Sequence, residues 1–582
     1  MNETNRYAQQ FRVVDGCLME SKISKQGSTE RKLCNFAPYL TEEVIVDDGV
    51  ETSTRIKLRG VHQSGRELPE IEIGGSELSS FNWLAERWGM DCILEVGQNI
   101  KDSVRYAIQT TAEHAERKTV YAVTGWKKLD GKWVFLLPGD RERTVSLPGK
   151  MQGYRMEEGC TEDDLSILAA LLQRGPVPSS VLLPLLALVF LSPLNHFLKL
   201  AGCEPKFLLL LLGKTGARKS TLAALMLSFF GRFTATELPL SFQDTGNSIL
   251  YHAFALKDVL TCIDDFHPAS RTEEQKLTAT AQTVLRAYGD RVGRGRLRAD
   301  STPMASRPPQ GNAIVTAEFP PDIGESGTAR YFPLELSAGD VDLDCLSYFQ
   351  MQAAGGVLAR CMCAYLNWIR DTYLSTEQKL ETFLFVLQSN FKYFRDRFRD
   401  SGIVCHGRVA ETVSWLQMGM NLLSVFLVEQ NVTTQTEAQE LVSRFEKLLY
   451  DLAAKQAASI AEDCPSHRFV RKLLALLEAG QVCLLQKDCT AEFLPQNCIG
   501  YEDDRCIYLF SEVAHKAVRE WCERQGESFT ISCRALLKAL AEEGFLETGA
   551  GQNTKSVRLG GNPKRVACLL KSKTDELTER TP

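Results

Sequence analysis

An unbroken apolar run that ends in a glycine-containing turn is the feature that most constrains this chain. The run is Phe207–Leu212, and the turn that follows it is Gly213–Thr221 (GKTGARKST). A helix is predicted over Thr221–Phe230. Strand, glycine loop and helix in this order are the context of a phosphate-binding loop, in which backbone N–H groups converge on phosphates.

This loop predicts a site for ATP and Mg²⁺. Lys219 would reach the β- and γ-phosphates, and the hydroxyl of Ser220 would coordinate Mg²⁺. Arg218 stands where the pattern G-x-x-x-x-G-K-[ST] has its second glycine. The alternative is a strand-to-helix turn with surface basic residues. The residues predicted to contact the nucleotide are Gly213, Lys214, Thr215, Gly216, Ala217, Arg218, Lys219, Ser220 and Thr221.

A second apolar run, Val259–Ile263, ends in the acids Asp264 and Asp265. An apolar strand with paired acids at its end is the form of a Walker B motif. Asp264 would hold Mg²⁺, and Asp265 would orient or deprotonate the attacking water. Glutamate is commoner at the second position. The alternative is a pair of solvated acids at a strand end.

Two residues further along the chain complete the predicted catalytic set. The apolar run Asn312–Thr316 places polar groups where ligands bind in α/β sheets, and Thr316, rather than Asn312, is favoured as the γ-phosphate sensor. Arg330 directly precedes a predicted strand, Tyr331–Leu336. It would stabilise transition-state charge on a neighbouring subunit's nucleotide, and the alternative is a structural salt bridge.

Two basic segments predict contact with nucleic acid. Between the acid strand and the Thr316 strand, four arginines spaced by glycine suit a loop that tracks phosphates; they are Arg291, Arg294, Arg296 and Arg298. The alternatives are a solvated loop, or one that contacts nucleotide or an adjacent subunit. Near the C-terminus, helix Ser532–Glu543 precedes a basic strand–turn–strand that carries Lys555, Arg558, Lys564 and Arg565. This order resembles a DNA-binding winged helix, and the alternative is a protein-binding one.

The order of elements predicts an α/β protein of several domains. The chain has 582 residues, which suits about three to five domains. Residues 1–150 are strand-rich with hairpin signals at Asp15-Gly16 and Asp130-Gly131, and four tryptophans there favour core packing over base stacking. We expect a P-loop ATPase domain at 151–345, a helical domain at 346–464, a winged-helix-like domain at 465–575 and a tail at 576–582.

Composition limits the other classes of protein. Net charge is −6, so a globally basic coating protein is excluded. The 18 cysteines include no CxxC pair, which disfavours structural zinc, and the first ten residues lack an apolar signal. The apolar segment Val181–Leu191 is shorter than a membrane span and is predicted to be a buried helix. A cytoplasmic protein without a membrane partner is therefore expected.

Together these residues resemble a known family. Ala122–Gly139 (AVTGWKKLDGKWVFLLPG), the charge-free helix before the phosphate loop, the loop itself and Asp264-Asp265 are similar to the bacterial domain-of-unknown-function family number nine-two-seven. That family occurs on phages, plasmids and other mobile elements. Its P-loop half looks like AAA+ ATPases, and some members resemble the MCM-like replicative helicases of staphylococcal cassette chromosomes.

The resemblance, which covers roughly residues 30–345, implies an AAA+-like fold, a hexameric ring and ATP hydrolysis between subunits. It implies movement on single-stranded or forked DNA, with Arg330 as the finger and Arg291–Arg298 at a DNA-facing hairpin. Two other functions stay open. One is a nucleotide-controlled switch or assembly ATPase without unwinding, and the other is a transcriptional regulator that uses its C-terminal module.

Overall fold

The computed structural model describes most of the chain. The described residues are 6–24, 27–268, 270–293, 295, 302, 305–321, 323, 325–462, 464–490, 493–525, 527, 529, 531–548 and 552–579. Two compact units are distinguished by their internal contacts. The first comprises Met1–Pro320, Pro333–Phe394 and Ser414–Glu446; the second comprises Pro321–Phe332, Arg395–Val413 and Lys447–Pro582.

The N-terminal part of the first unit is strand-rich, as its hairpin signals predict. Its elements are β1 (Phe11–Val14), β2 (Cys17–Ser24), β3 (Gly27–Cys34), β4 (Phe36–Asp47), β5 (Thr52–His62), β6 (Glu67–Gly74), α1 (Ile100–Thr110), β7 (Glu116–Tyr121), β8 (Gly125–Leu129), β9 (Lys132–Leu136) and β10 (Thr144–Val145). They form a β1-β2-β3 sheet, a β10-β7-β4-β5-β6 sheet and a separate β8-β9 hairpin. Both predicted hairpins are confirmed, because Asp-Gly supplies the two positive φ angles at each turn.

The tryptophans of this region pack in cores. Trp83 and Trp88 are buried in the hydrophobic cluster beneath the strands, with ring centroids 5.2 Å apart. Trp126 is buried and donates from Nε1 to the carbonyl of Pro193 at 2.9 Å. Trp133 packs against Phe197, at 5.4 Å between ring centroids. These contacts favour the core-packing alternative over base stacking.

The Gly125-Trp126 pair of the hairpin is explained by a buried carboxylate. Gly125 has φ +88°, and a Cβ added there would lie 2.6 Å from Asp258 Oδ2. Asp258 accepts from the backbone N–H of Trp126 at 3.0 Å and from that of His196 at 2.9 Å. A glycine is needed because only hydrogen fits between the hairpin and this carboxylate. The motif therefore attaches the hairpin to the segment that precedes the acid strand.

The following region contains a parallel sheet flanked by helices. Its elements are α2 (Glu162–Gln173), α3 (Ser179–Leu191), α4 (Asn195–Leu200), β11 (Leu208–Leu212), α5 (Lys219–Leu227), β12 (Leu240–Ser241), α6 (Gly246–Ala255), β13 (Leu260–Phe266), α7 (Arg271–Asp290), β14 (Asn312–Ala317), α8 (Glu325–Thr328) and β15 (Tyr331–Glu335). The strand order is β12-β13-β14-β11-β15, and β11, β12, β13 and β14 pair in parallel. The phosphate-loop strand β11 and the acid strand β13 therefore flank β14.

The apolar segment before the phosphate-loop strand is a core helix. Every residue of Val181–Leu191 is buried. Among the residues that the structure describes, Ser179–Leu200 is the one helical segment long and apolar enough to cross a membrane, and 94% of its most apolar window is buried. The sequence predicted a buried helix here, and the structure confirms it.

Helices dominate the next segment, as its sequence period predicts. They are α9 (Leu343–Ala354), α10 (Val357–Tyr373), α11 (Glu377–Asp400), α12 (Gly407–Glu429) and α13 (Gln435–Glu462). In the first unit, Arg360 on α10 forms a bidentate pair with Asp164 of α2, with Nε–Oδ2 and Nη2–Oδ1 distances of 2.9 and 2.7 Å. This pair ties the helical segment to the helix that opens the region of the parallel sheet.

Within its described residues, the C-terminal module contains a five-stranded sheet and four helices. Its elements are α14 (Pro465–Glu478), β16 (Cys483–Gln486), β17 (Cys498–Glu502), β18 (Cys506–Leu509), α15 (Ser511–Gln525), α16 (Cys533–Glu542), β19 (Lys555–Leu559), β20 (Asn562–Leu570) and α17 (Lys571–Glu579). The order is β16-β17-β18-β20-β19. Ser532 caps α16 by accepting from the N–H of Ala535 at 3.3 Å. The predicted strand–turn–strand is the β19-β20 hairpin.

Candidate nucleotide-binding site

The loop between β11 and α5 is the segment that the sequence predicts to bind phosphate. A Cβ on Gly213 would lie 2.2 Å from the carbonyl oxygen of Leu336, so glycine lets two backbones approach closely. Gly216 has φ +88° and faces open space. Helix α5 begins at Lys219, two residues before the predicted start, and ends at Leu227 before a 3₁₀ turn, Ser228–Phe230. The loop therefore leads directly into a helix N-terminus that points to the site.

Arg218 occupies the glycine position of the motif with a strained backbone. Its φ is +63° and its ψ is +24°, which is the left-handed region. For a residue with a Cβ this conformation costs about 1–2 kcal/mol. The loop thus keeps the backbone path that glycine usually supplies, at the expense of local stability.

Replacing Arg218 by glycine is expected to raise the free energy of unfolding by about 1 kcal/mol. The measurement is the thermal unfolding midpoint of Arg218→Gly beside Arg218→Ala, which loses the same side chain but keeps the strain. Equal midpoints for the two variants would contradict a backbone origin of the effect.

Lys219 lies folded against the start of the loop. Its Nζ donates to the carbonyls of Gly213 at 2.5 Å and Lys214 at 3.2 Å. Burial lowers the pKa of Lys219, and the nearby carboxylates of Glu318, Asp264 and Asp265 oppose that shift. The Lys219 ammonium is therefore held by two loop carbonyls, with three carboxylates near enough to affect its pKa.

The acids of β13 are directed by a bulge in the strand. The register with β14 shifts between Ile263 and Phe266, and Asp265 has φ +67°. Bulges re-aim side chains and are frequent next to active sites. As a result, the side chains of both consecutive acids project from the C-terminal end of β13. Asp265 lines the cavity beside the loop.

Three elements meet through hydrogen bonds at Asp264. Its Oδ1 accepts from the hydroxyl of Ser220 at 2.8 Å and from that of Thr316 at 2.6 Å. Thr316 in turn accepts from the backbone N–H of Asp265 at 2.9 Å. These hydrogen bonds hold three chain ends together: the C-terminal ends of β13 and β14 and the N-terminus of α5.

The side chains present fit the ligands that the sequence predicts. Hydroxyl and carboxylate oxygens, here of Ser220 and Asp264, are the hard ligands that Mg²⁺ prefers. The cavity beside them has a volume of about 260 Å³, and its lining is Thr215, Gly216, Arg218, Lys219, Ser220, Thr221, Asp265, Phe266, Thr316, Ala317 and Glu318. Backbone N–H groups, one ammonium and carboxylates in one cavity can bind a phosphate group together with a divalent cation.

Two residues of this site, Glu318 and His267, were not predicted from the sequence. Glu318 follows β14 and accepts a hydrogen bond from Thr215 Oγ1 of the loop, and its other oxygen lies 2.8 Å from His267 Nδ1. The hydrogen bond from Thr215 lowers the pKa of Glu318. The signal available in the sequence is an acid two positions beyond Thr316, the end of a strand already assigned to the site.

Arg291 was predicted to contact DNA, and its placement does not suit that role. It is only 8% exposed, and its guanidinium donates to the carbonyls of Pro205, Pro309 and Gly311 and to Asn312 Oδ1, at 2.7–3.1 Å. Every one of these acceptors is buried inside the first unit. Arg291 is therefore a structural residue that closes the turn after α7. Asn312, the weaker sensor candidate, is likewise buried at the opposite end of β14 from Thr316.

The remaining predicted arginines are placed as follows. Arg294, Arg296 and Arg298 lie outside the residues that the structure describes. Arg330 is half-buried directly before β15, and its backbone N–H donates to the carbonyl of Gly327 at 2.9 Å. Its role as a finger stays a prediction.

The four basic residues of the C-terminal hairpin divide between its two faces. Arg558 and Arg565 are exposed and share one face, since Ser556 pairs with Arg565 and Arg558 with Pro563. Lys564 instead donates to the hydroxyl of Tyr501 at 2.8 Å and lies 4.6 Å from that ring's centroid. Lys555 pairs with Glu547 at 3.5 Å. Arg558 and Arg565 also have partners within the module, at Gly561 O and at Thr554 Oγ1 with Gln552 Oε1, but both remain exposed, whereas the two lysines are only partly exposed.

The fold and site define a mixed α/β protein in which a glycine loop on one parallel strand faces paired acids on another. No protein-family model matches the sequence, and no curated protein matches it. The chain is similar in structure to a solved protein described as "SCCmec type IV Cch - active helicase". The two share 12% sequence identity with a TM-score of 0.59, and the match covers 98% of this chain and 99% of that one. At this identity the likeness concerns the fold.

Proposed function

We propose that this chain is an ATP-hydrolysing DNA helicase or translocase of the MCM-like AAA+ type that serves replication of a mobile genetic element. The observation that carries the proposal is the junction at Asp264, where Ser220 of the loop helix and Thr316 of the neighbouring strand contact one carboxylate oxygen. Likeness over nearly the whole chain to a protein described as an active helicase supports the same class.

The residues of the loop have distinct roles in this proposal. Backbone N–H groups of Gly213–Thr221 would hold the phosphates, and Lys219 would neutralise charge that develops between the β- and γ-phosphates. Ser220 and Asp264 would hold Mg²⁺, which supplies charge stabilisation when bound. Asp265 would orient the attacking water, and Thr316 would contact the γ-phosphate. Arg330 would complete the site of a neighbouring subunit in a homo-oligomer, which we propose to be a hexameric ring.

Contact with DNA is proposed for two surfaces. Arg294, Arg296 and Arg298 retain the role that the sequence predicts for a basic, glycine-spaced loop. In the C-terminal module, the exposed Arg558 and Arg565 lie on one face of the hairpin and suit backbone phosphates. Lys555 and Lys564 are weaker candidates because they lie on the other face of the hairpin and are less exposed than the two arginines.

Single-stranded DNA is expected to stimulate ATP turnover by the purified chain. The stimulation should weaken steeply with salt, because phosphate contacts release counterions. The measurement is steady-state phosphate release with and without DNA, for the wild type and for Arg294→Ala/Arg296→Ala. The double variant should keep basal turnover and lose stimulation, whereas Arg286→Ala, an exposed position on α7, should behave as wild type.

The opposite result would identify the alternative function. Turnover that ignores DNA, together with nucleotide-dependent assembly, would contradict the helicase proposal and favour a nucleotide-controlled switch or assembly ATPase. Sequence-specific binding of duplex DNA would favour a transcriptional regulator.

A further inference from the structure

Glu318 is the carboxylate of the phosphate cavity that the Walker motifs do not account for. It lies two residues beyond Thr316, lines the same cavity as Lys219 and Asp265, and has a side chain that is 21% exposed. Among the three acids near Lys219, Glu318 has the largest electrostatic effect on the pKa of that lysine. A carboxylate in this place repels a phosphate ligand, so its presence calls for a role that offsets this cost.

The contacts of Glu318 place it beside the reactive end of the proposed nucleotide. Lys219 Nζ, the group expected between the β- and γ-phosphates, lies within hydrogen-bond distance of Gly213 O and Lys214 O. The next residue of the loop, Thr215, donates to Glu318. Glu318 is therefore held by the part of the loop that adjoins the terminal phosphates, whereas Asp264 is engaged by Ser220 and Thr316.

His267 connects Glu318 to solvent. Its Nδ1 lies 2.8 Å from Glu318 Oε2, and its side chain is 45% exposed, about twice the exposed fraction of the glutamate. One oxygen of Glu318 thus faces the loop hydroxyl, and the other faces an imidazole that can pass a proton outward. A carboxylate between the reacting group and an exposed histidine has the arrangement of a general base with a proton outlet.

We propose that Glu318 is a catalytic residue of ATP hydrolysis and accepts the proton of the attacking water; this rests on the proposed function. In the step, the water oxygen bonds to the γ-phosphorus and the bond from that phosphorus to the β–γ bridging oxygen breaks. The electron pair of that bond leaves with ADP. The water proton goes to Glu318, and from there to His267 and solvent. His267 is a positioning residue, and Asp265 keeps the role of orienting the water.

The rival explanation is that Glu318 only holds the loop through Thr215, and Glu318→Gln separates the two. Glutamine keeps a side-chain oxygen that accepts from Thr215 but does not take up a proton at neutral pH. The expected result is a loss of at least about 10²-fold in the single-turnover rate. Affinity for a fluorescent non-hydrolysable ATP analogue should stay equal or rise, because a like charge beside the phosphates is removed.

The variants that accompany Glu318→Gln make either outcome informative. Glu318→Asp should recover part of the rate, and Glu274→Gln, an exposed position on α7, should match wild type. His267→Asn should move the acidic limb of the pH–rate profile to higher pH. The hydrogen bond from Thr215 has the largest lowering effect on the pKa of Glu318. The charges of His267 and Lys219 lower this pKa as well. Loss of His267 therefore lets the pKa of Glu318 rise, so that the carboxylate is protonated at a higher pH.

Two results would overturn the proposal. One is a Glu318→Gln rate within about threefold of wild type while Lys219→Ala is inactive, which would leave the ATPase function intact. The other is a loss of analogue affinity as large as the loss of rate, which would assign Glu318 to holding the loop. Turnover that persists in Lys219→Ala would instead refute the proposed function itself.

Discussion

Replacing Lys219 by alanine is expected to lower ATP turnover by at least about 10²–10³-fold, because one preorganised cation at the developing charge contributes this much. Lys219 is half-buried with its ammonium held by Gly213 O and Lys214 O. Alanine removes the ammonium that would reach from the helix N-terminus to the terminal phosphates. The measurement is phosphate release at saturating ATP, together with binding of the fluorescent analogue.

The control for this variant is Lys206→Ala. Lys206 is exposed two residues before β11 and does not line the cavity, so its replacement changes the net charge by the same amount without altering the site. It should retain wild-type turnover. If Lys219→Ala hydrolyses ATP at the wild-type rate, the loop is a structural strand-to-helix turn, which is the alternative that the sequence left open.

The second large effect is expected at Arg291, where alanine should lower the free energy of unfolding by about 3 kcal/mol or more. The guanidinium is buried and makes hydrogen bonds to three carbonyls and to Asn312. Burial lowers the pKa of Arg291, and the nearby Glu204, Tyr288 and Asp258 oppose that shift. Without the guanidinium, the carbonyls and Asn312 lose their donor in the interior. Urea unfolding followed by tryptophan fluorescence measures the change.

Arg286 provides a matched comparison on the same helix. It is exposed on α7, and its replacement by alanine should change the free energy of unfolding by less than about 0.5 kcal/mol. A stable Arg291→Ala variant with weakened DNA binding would restore the original prediction that this arginine contacts DNA. An unstable one would confirm its structural role.

Much of the candidate site follows from short stretches of sequence. The apolar strand before Gly213, the acids after Ile263 and the position of Thr316 are all local features, and parallel pairing brings the ends of such strands to one edge. The bulge at Asp264-Asp265 was not predicted. The bulge depends on the register between β13 and β14, and the two acids by themselves do not predict that register.

The positions of Glu318 and Arg291 could not be predicted from the sequence. Glu318 and Thr215 are 103 residues apart in the chain, so the sequence around either residue does not predict their contact. Arg291 belongs to a run of glycine-spaced arginines that looks uniformly exposed, yet its acceptors include a carbonyl 86 residues away. A charged side chain is buried only where the surrounding backbone supplies enough acceptors, and that supply is a tertiary property.

The sequence by itself determined the kinds of element and where many of them turn. The Asp-Gly hairpins, the Ser532 cap and the buried Val181–Leu191 helix all depend on backbone preferences and hydrophobic period within a few residues. The tertiary structure alone decided which polar groups share a cavity and which are enclosed. Asp258 beneath Gly125, Arg291 beneath β14 and Glu318 beside the loop each depend on segments far apart in the chain, because burial and hydrogen-bond partners exist only once those segments pack together.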